Sequence, residues 1–197
     1  MAVTAAYATA QQYRNVTGKT DMADDAEILT DLTAVSRYLE GRLGRHFTKD
    51  VSAVKRIYLP EENVTALRVD DMAEAPTSIT LDTGGDGQYA TVLESADYEL
   101  LPFNADKGPE PRPYTKIRML NGVFYKNVRV KVKAKFGWPD VPTAIERATI
   151  QITAILRLES PRATRRISEL GEAIDASQDA QSIVRQLTDS YKRVRYI

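Results

Sequence analysis

Apolar and polar residues alternate without a break from Asn127 to Phe136. Val128, Val130, Val132, Ala134 and Phe136 fall on one side, and Arg129, Lys131, Lys133 and Lys135 on the other. Strand side chains alternate faces, so the pattern predicts a half-buried strand with a cationic outer face. Gly137 and Pro139 end it, and Pro142 suits the first turn of a following helix. Trp138, set between Gly137 and Pro139 and next to Phe136, reads as the packing anchor of this corner.

Elsewhere the apolar period separates helices from strands. Thr9 and Gln12 match a capping box for a helix over Thr9–Val16 that Gly18 ends. Asp24 and Glu27 repeat the signature. After them Ile28, Leu32, Val35, Leu39 and Leu43 form a helical stripe that Gly44 stops. Asp21, Asp24, Asp25 and Glu27 suit the positive end of that helix. Strand-like stretches follow at Val54–Leu59, Thr65–Val69, Ser78–Asp82, Tyr89–Leu93, Tyr98–Leu101, Tyr114–Met119 and Asn127–Phe136. Asp82 to Gly87 reads as a hairpin tip and Asn121-Gly122 as a tight turn. The prolines from Pro102 to Pro113 predict an extended irregular loop. Ile145, Ala148, Ile152 and Ile155 or Leu156 mark a third main helix over Pro142–Leu158, ended by Ser160-Pro161. The polar stretch 162–180 has little periodicity and is expected to be mobile. A last helix is expected near Asp179–Ser190, with Ile183, Leu187 and Tyr191 as its stripe and a strand or free arm after it. The fold class expected is α+β: a small helical bundle with a β-rich insertion between the second and third main helices. Residues 1–50 and 138–190 form the helical domain, 51–137 the insertion, and 191–197 a C-terminal arm.

Composition narrows the function classes. The chain has 197 residues with a formal net charge of zero, which does not suggest a nucleic-acid binder. It has no cysteine, which excludes disulfides, thiolate nucleophiles and cysteine zinc sites. No apolar run approaches the roughly 18–20 residues that span a bilayer, and the start does not read as a secretory signal. Charge is segregated, however. Glu61 through Glu110 holds twelve acids against Arg68 and Lys107, while Arg112 through Lys135 holds eight bases and no acid. Such blocks can meet across strands or across subunits, with Asp97 and Glu99 facing Arg129, Lys131, Lys133 and Lys135 as the candidate inter-subunit pairing.

No catalytic constellation is legible. His46 is the one histidine and reads as structural, and neither HxxxH nor HExxH occurs. The Gly84–Gly87 stretch lacks the lysine of a phosphate loop and the closing glutamate of a calcium loop. Asp70 with Asp71, and Glu61 with Glu62, read as solvated loop acids. No cofactor or metal is expected. The cationic strand Arg129–Lys135 is the one feature suited to DNA, although it lacks the interleaved aromatics of nucleic-acid modules.

Several segments in order resemble one family. They are Tyr7–Tyr13, the capped helix ending in Leu43–Phe47, Ala96–Pro102, Lys135–Pro139 and Gly171–Ser177. Together they are similar to the tailed-phage head–tail connector (adaptor, neck) proteins. The smaller members are mostly helical, so the long β-rich insertion is a departure. The resemblance implies a non-enzymatic virion protein of the neck, made in the host cytoplasm, with no membrane partner. It implies a homo-oligomeric ring, typically a dodecamer, that binds the portal protein and presents a surface to the tail or the next neck protein. DNA would pass through it only as cargo. The C-terminal segment usually grips the portal, which here carries over to Tyr191, Lys192, Arg193, Val194, Arg195, Tyr196 and Ile197. The alternative is a DNA-binding protein that uses Arg129–Lys135.

Overall fold

A computed structural model of the chain describes residues 5–159, 172–175 and 177–192. The chain divides into two compact units, one of Met1–Phe47 with Val141–Ile197 and one of Thr48–Asp140. It is a mixed α+β chain in which a β-rich segment is inserted between two helices.

In the helical unit, α1 (Ala10–Thr17) opens on the expected capping box. The Gln12 N–H donates to the Thr9 hydroxyl and the Thr9 N–H to the Gln12 side chain, so two amides without helical partners are satisfied. α2 (Asp25–Leu43) buries Ile28, Leu32, Val35, Leu39 and Leu43, and left-handed Gly44 closes it. Its expected capping box does not form. Asp24 has turn-like angles (φ −92°, ψ 4°), so its carboxylate does not fold over the first amides. That carboxylate lies 3.5 Å from Arg157, which also reaches Glu27 and Asp31.

α3 (Thr143–Glu159) starts just after Pro142, whose carbonyl accepts the Glu146 N–H. It buries Ile145, Ala148, Ile152 and Leu156, and also Thr149, Ile150 and Thr153. The two threonine hydroxyls donate to carbonyls one turn back, which lets them sit in the core. The proposed stop at Ser160-Pro161 lies outside the described residues. Within the stretch read as unpatterned, residues 172–175 form a helical turn with Ile174 fully buried. Ser177 then caps α4 (Gln178–Thr188) by accepting the Ala180 N–H. The buried stripe of α4 is Ala180, Val184 and Thr188, while Ile183 and Leu187 are half-buried. This helix packs against α3 and keeps small side chains, Ala180 and Thr188, on its buried face. Tyr191 is not a strand residue. It ends a 3-10 turn, Asp189–Tyr191, and its ring meets Phe47 edge-on at 5.9 Å.

The β unit holds β1 (Val54–Tyr58), β2 (Ala66–Met72), β3 (Ser78–Asp82), β4 (Thr91–Leu93), β5 (Tyr98–Leu101), β6 (Tyr114–Met119) and β7 (Arg129–Ala134). One antiparallel sheet runs β1-β7-β3-β4 and the other β2-β6-β5. Leu67, Val69, Ile79, Leu81, Ile117, Val130 and Val132 from the two sheets share one core with Phe124 and Phe136. β7 is shorter than its alternation. Asn127 is left-handed (φ +62°) and Val128 bonds back to Tyr125, so the strand starts at Arg129. At the other end Phe136 pairs with Met72, which joins the two sheets at a corner. Left-handed Tyr89 likewise delays β4 to Thr91. β2 runs on to Met72, so Asp70 and Asp71 are strand residues and not solvated loop acids. Asp71 is buried, and Asp70 takes bonds from Arg56 and Tyr58. The proline-rich loop is not extended either. The Arg112 N–H donates to the Ala105 carbonyl at 2.8 Å and folds the loop over a buried Ala105.

Candidate functional site

β7 is the centre of its sheet, so its two faces meet different surroundings. Val130, Val132 and Ala134 point into the core. On the outer face the register sets Ile57, Lys131, Thr80 and Val92 in one row across four strands. Lys55, Lys133 and Ser78 form the next row, and Arg129 stands opposite Asp82. Asp82 is buried and lies 3.6 Å from Arg129, while its two oxygens accept the Gly87 N–H. This carboxylate therefore builds the hairpin tip and offsets the first cation of the strand. Lys135, the last, shares Glu74 with Lys49. Bonding between Lys49 and Glu74 holds the lysine above its ordinary pKa and the carboxyl below its own. Lys131 sits 3.7 Å from the centre of the Tyr89 ring, a cation–π contact. Lys55, Lys131 and Lys133 have no carboxylate partner among the described residues.

Asp97 and Glu99 do not face this strand within the chain. Glu99 lies on β5 in the other sheet, opposite Arg118 of β6, and the two are ion-paired. Asp97 closes a tight turn by accepting the Glu94 N–H at 2.7 Å. Alternation along the sequence does not reveal sheet membership, and so the true partner of Glu99, a base nineteen residues away, was not legible.

The corner is built by close approach. Gly137 has φ +105°, and a Cβ there would sit 1.9 Å from the Thr48 carbonyl oxygen. The Asp50 N–H donates to the Phe136 carbonyl, and the Phe136 N–H donates to the Asp50 carboxylate. The segments entering and leaving the β unit therefore run side by side. Phe136 and Trp138 are buried, Pro139 is half-buried, and Arg56 lies 4.0 Å above the Phe136 ring. Tyr58 completes this group, and burial pushes its phenol well above the ordinary value.

In the helical unit His46 bonds Glu40 at 2.8 Å, and Glu40 also takes bonds from Tyr7 and Arg37. The Phe47 N–H donates to the Tyr7 hydroxyl. This network, which sequence spacing gave no sign of, ties residues near the start to the end of α2. Burial, and then the bond to Glu40, raise the Tyr7 phenol. Its members are bonded to one another, His46 to Glu40 and Glu40 to Tyr7 and Arg37. Among the described residues no group of three His, Asp or Glu side chains is placed to hold a metal ion. None of the helices there is long and apolar enough to cross a membrane. Of the proposed portal-binding residues, Tyr191 and Lys192 are described, whereas Arg193, Val194, Arg195, Tyr196 and Ile197 lie outside the described residues.

The whole arrangement can be set beside solved structures. The chain shares its fold with a chain in the neck of an empty gene transfer agent particle. That structure was computed with C6 symmetry, and the match covers 95% of this chain and 90% of the other at 16% identity and a TM-score of 0.52. A chain from the virion of the native gene transfer agent particle matches over 95% and 90%, at 19% identity and a TM-score of 0.44. No family model matches this chain, and no curated protein does. At 95% coverage the likeness to the neck chain extends into both units, the β-rich insertion included.

Proposed function

We propose that this chain is a non-enzymatic structural protein of a virion neck, a head–tail adaptor that forms a homo-oligomeric ring on the portal. The observation that carries the reading is the likeness in fold to the neck chain over nearly the full length of both proteins. The sequence resemblance to head–tail connectors supports it independently, because it rests on local motifs and not on the overall fold. The segregated charge of the β unit supports it too, since a ring needs two different complementary surfaces on each subunit. In this reading the ring extends the DNA channel, and the genome passes without being held. The Gly84–Gly87 tip and the Pro102–Pro113 loop are the polar segments suited to line such a channel. The arm that grips the portal begins at Lys192, with Tyr191 anchored at its base by Phe47.

Electron microscopy of the protein mixed with its portal tests this. A ring stacked on the portal is expected. A truncation that removes Lys192–Ile197 should keep the circular dichroism spectrum and lose portal attachment. Normal joining by the truncated chain would remove the arm from the proposal, and no ring on any portal would sink the adaptor reading.

A further inference from the structure

The outer face of the β7 sheet carries lysine charge that no carboxylate among the described residues neutralises. Lys55 and Lys133 are directly opposite on adjacent strands, and Lys131 follows two residues from Lys133 on the same face. Like charges in opposite positions destabilise a sheet. Beside them Ile57 and Val92 are 58% and 53% exposed, in the same row as Lys131. A face built to bind phosphate would not set apolar side chains between its cations, because they cover no phosphate and lose contact with water instead. Three lysines with aliphatic neighbours fit a protein surface that offers carboxylates and apolar groups together.

The same unit offers such a surface elsewhere. The turns Pro60–Asn63, Glu94–Asp97 and Leu120–Asn127 are tied together. The Asn127 N–H donates to the Pro60 carbonyl, the Lys126 N–H to the Asn63 side chain, and the Leu120 N–H to the Asp97 carbonyl. This end carries Glu61, Glu62, Glu94 and Asp97, all exposed, beside Leu120 and Tyr125, which are exposed as well. None of Glu61, Glu62 and Glu94 has a cationic partner among the described residues.

We infer that the cationic sheet face of one copy of this chain receives the acidic turn end of a second copy, in a head-to-tail contact. Carboxylates of Glu61, Glu62 and Glu94 meet Lys55, Lys131 and Lys133, while Leu120 and Tyr125 pack on Ile57 and Val92. The two surfaces are different, so the contact is heterologous and repeats from copy to copy. Glu99 takes no part, since its charge is already met by Arg118. This deepens the ring reading above by naming its faces, but its test does not need a portal.

The full chain is used. One variant carries Lys131→Glu and Lys133→Glu, and the other Glu61→Lys and Glu62→Lys. Sedimentation velocity at low salt, with circular dichroism as the folding control, should show wild-type self-association that each variant weakens by about tenfold or more, as expected when like charges are brought together. Mixing the two variants should restore association, because each reversed face then meets its complement. Carbodiimide should join Lys131 or Lys133 to Glu61, Glu62 or Glu94 in the wild type. Wild-type chains that remain monomeric without these cross-links would overturn the inference, and so would variants that assemble normally or a mixture that stays dissociated. Salt-sensitive duplex DNA binding lost only with the lysine reversal, at unchanged self-association, would reassign the face to DNA. Each of these outcomes leaves portal attachment to be judged by microscopy, so a wrong choice of faces is separable from a wrong function.

Discussion

Gly137 shows how much one residue can carry. Its φ of +105° is a region that side chains other than glycine rarely adopt, and the space a Cβ would take belongs to the Thr48 backbone. Neither restriction can relax cheaply, because Thr48–Asp50 is bonded in place beside Phe136. Gly137→Ala should therefore destabilise the chain by about 2–3 kcal/mol or more. A denaturant titration would measure it, and a midpoint within error of wild type would show that the two segments are free to separate. By contrast, Gly18 has open space where its Cβ would go, and there only the backbone angle opposes a substitution.

Among the elements, α4 separates pattern from packing most clearly. Its large apolar residues, Ile183 and Leu187, are half-buried, and its sealed positions are Ala180, Val184 and Thr188. A stripe of such small residues contributes less apolar burial than one of leucines, so the helix depends more on its ends. Ser177 supplies the N-terminal cap by accepting the Ala180 N–H. Replacing Ser177 with Ala should cost about 1 kcal/mol. Hydrogen exchange would show it as faster exchange of the first-turn amides of α4, with those of α2 unchanged. Unaltered exchange at Ala180 would mean that the cap contributes nothing. α3 is the contrasting case: its buried arc includes Thr149 and Thr153, whose hydroxyls are satisfied within the helix itself.

At the scale of the whole molecule, the β unit is a continuous segment with a core of its own. The residues of that core all lie between Tyr58 and Phe136. Its two chain ends are bonded to each other through Asp50 and Phe136, so excision leaves no strand of either sheet behind. Residues 48–140 expressed alone should give a β-type far-ultraviolet spectrum and a cooperative thermal transition. A chain that remains unstructured would show that this core needs the helical unit.

Local period and turn chemistry determined a good deal of this protein from sequence alone. The stripe of α2, the capping box of α1, the alternation of β7 and the break at Gly137 all depend on spacings of a few residues, and all are present. What spacing cannot carry is which strand lies beside which. The sequence shows that Lys131 and Val132 face opposite ways. Only the fold sets Ile57 and Val92 in the row of Lys131, joins Glu99 to Arg118, and extends β2 so that Asp70 and Asp71 enter a strand. The expected cap of α2 is absent as well. Asp24 has the right residue type at the right spacing, but its backbone takes turn-like angles, and its carboxylate lies 3.5 Å from Arg157, a cation more than a hundred residues away. Short-range order follows from side-chain alternation and backbone sterics. The pairing of distant charges follows from sheet order and helix packing, which nothing within a few residues encodes.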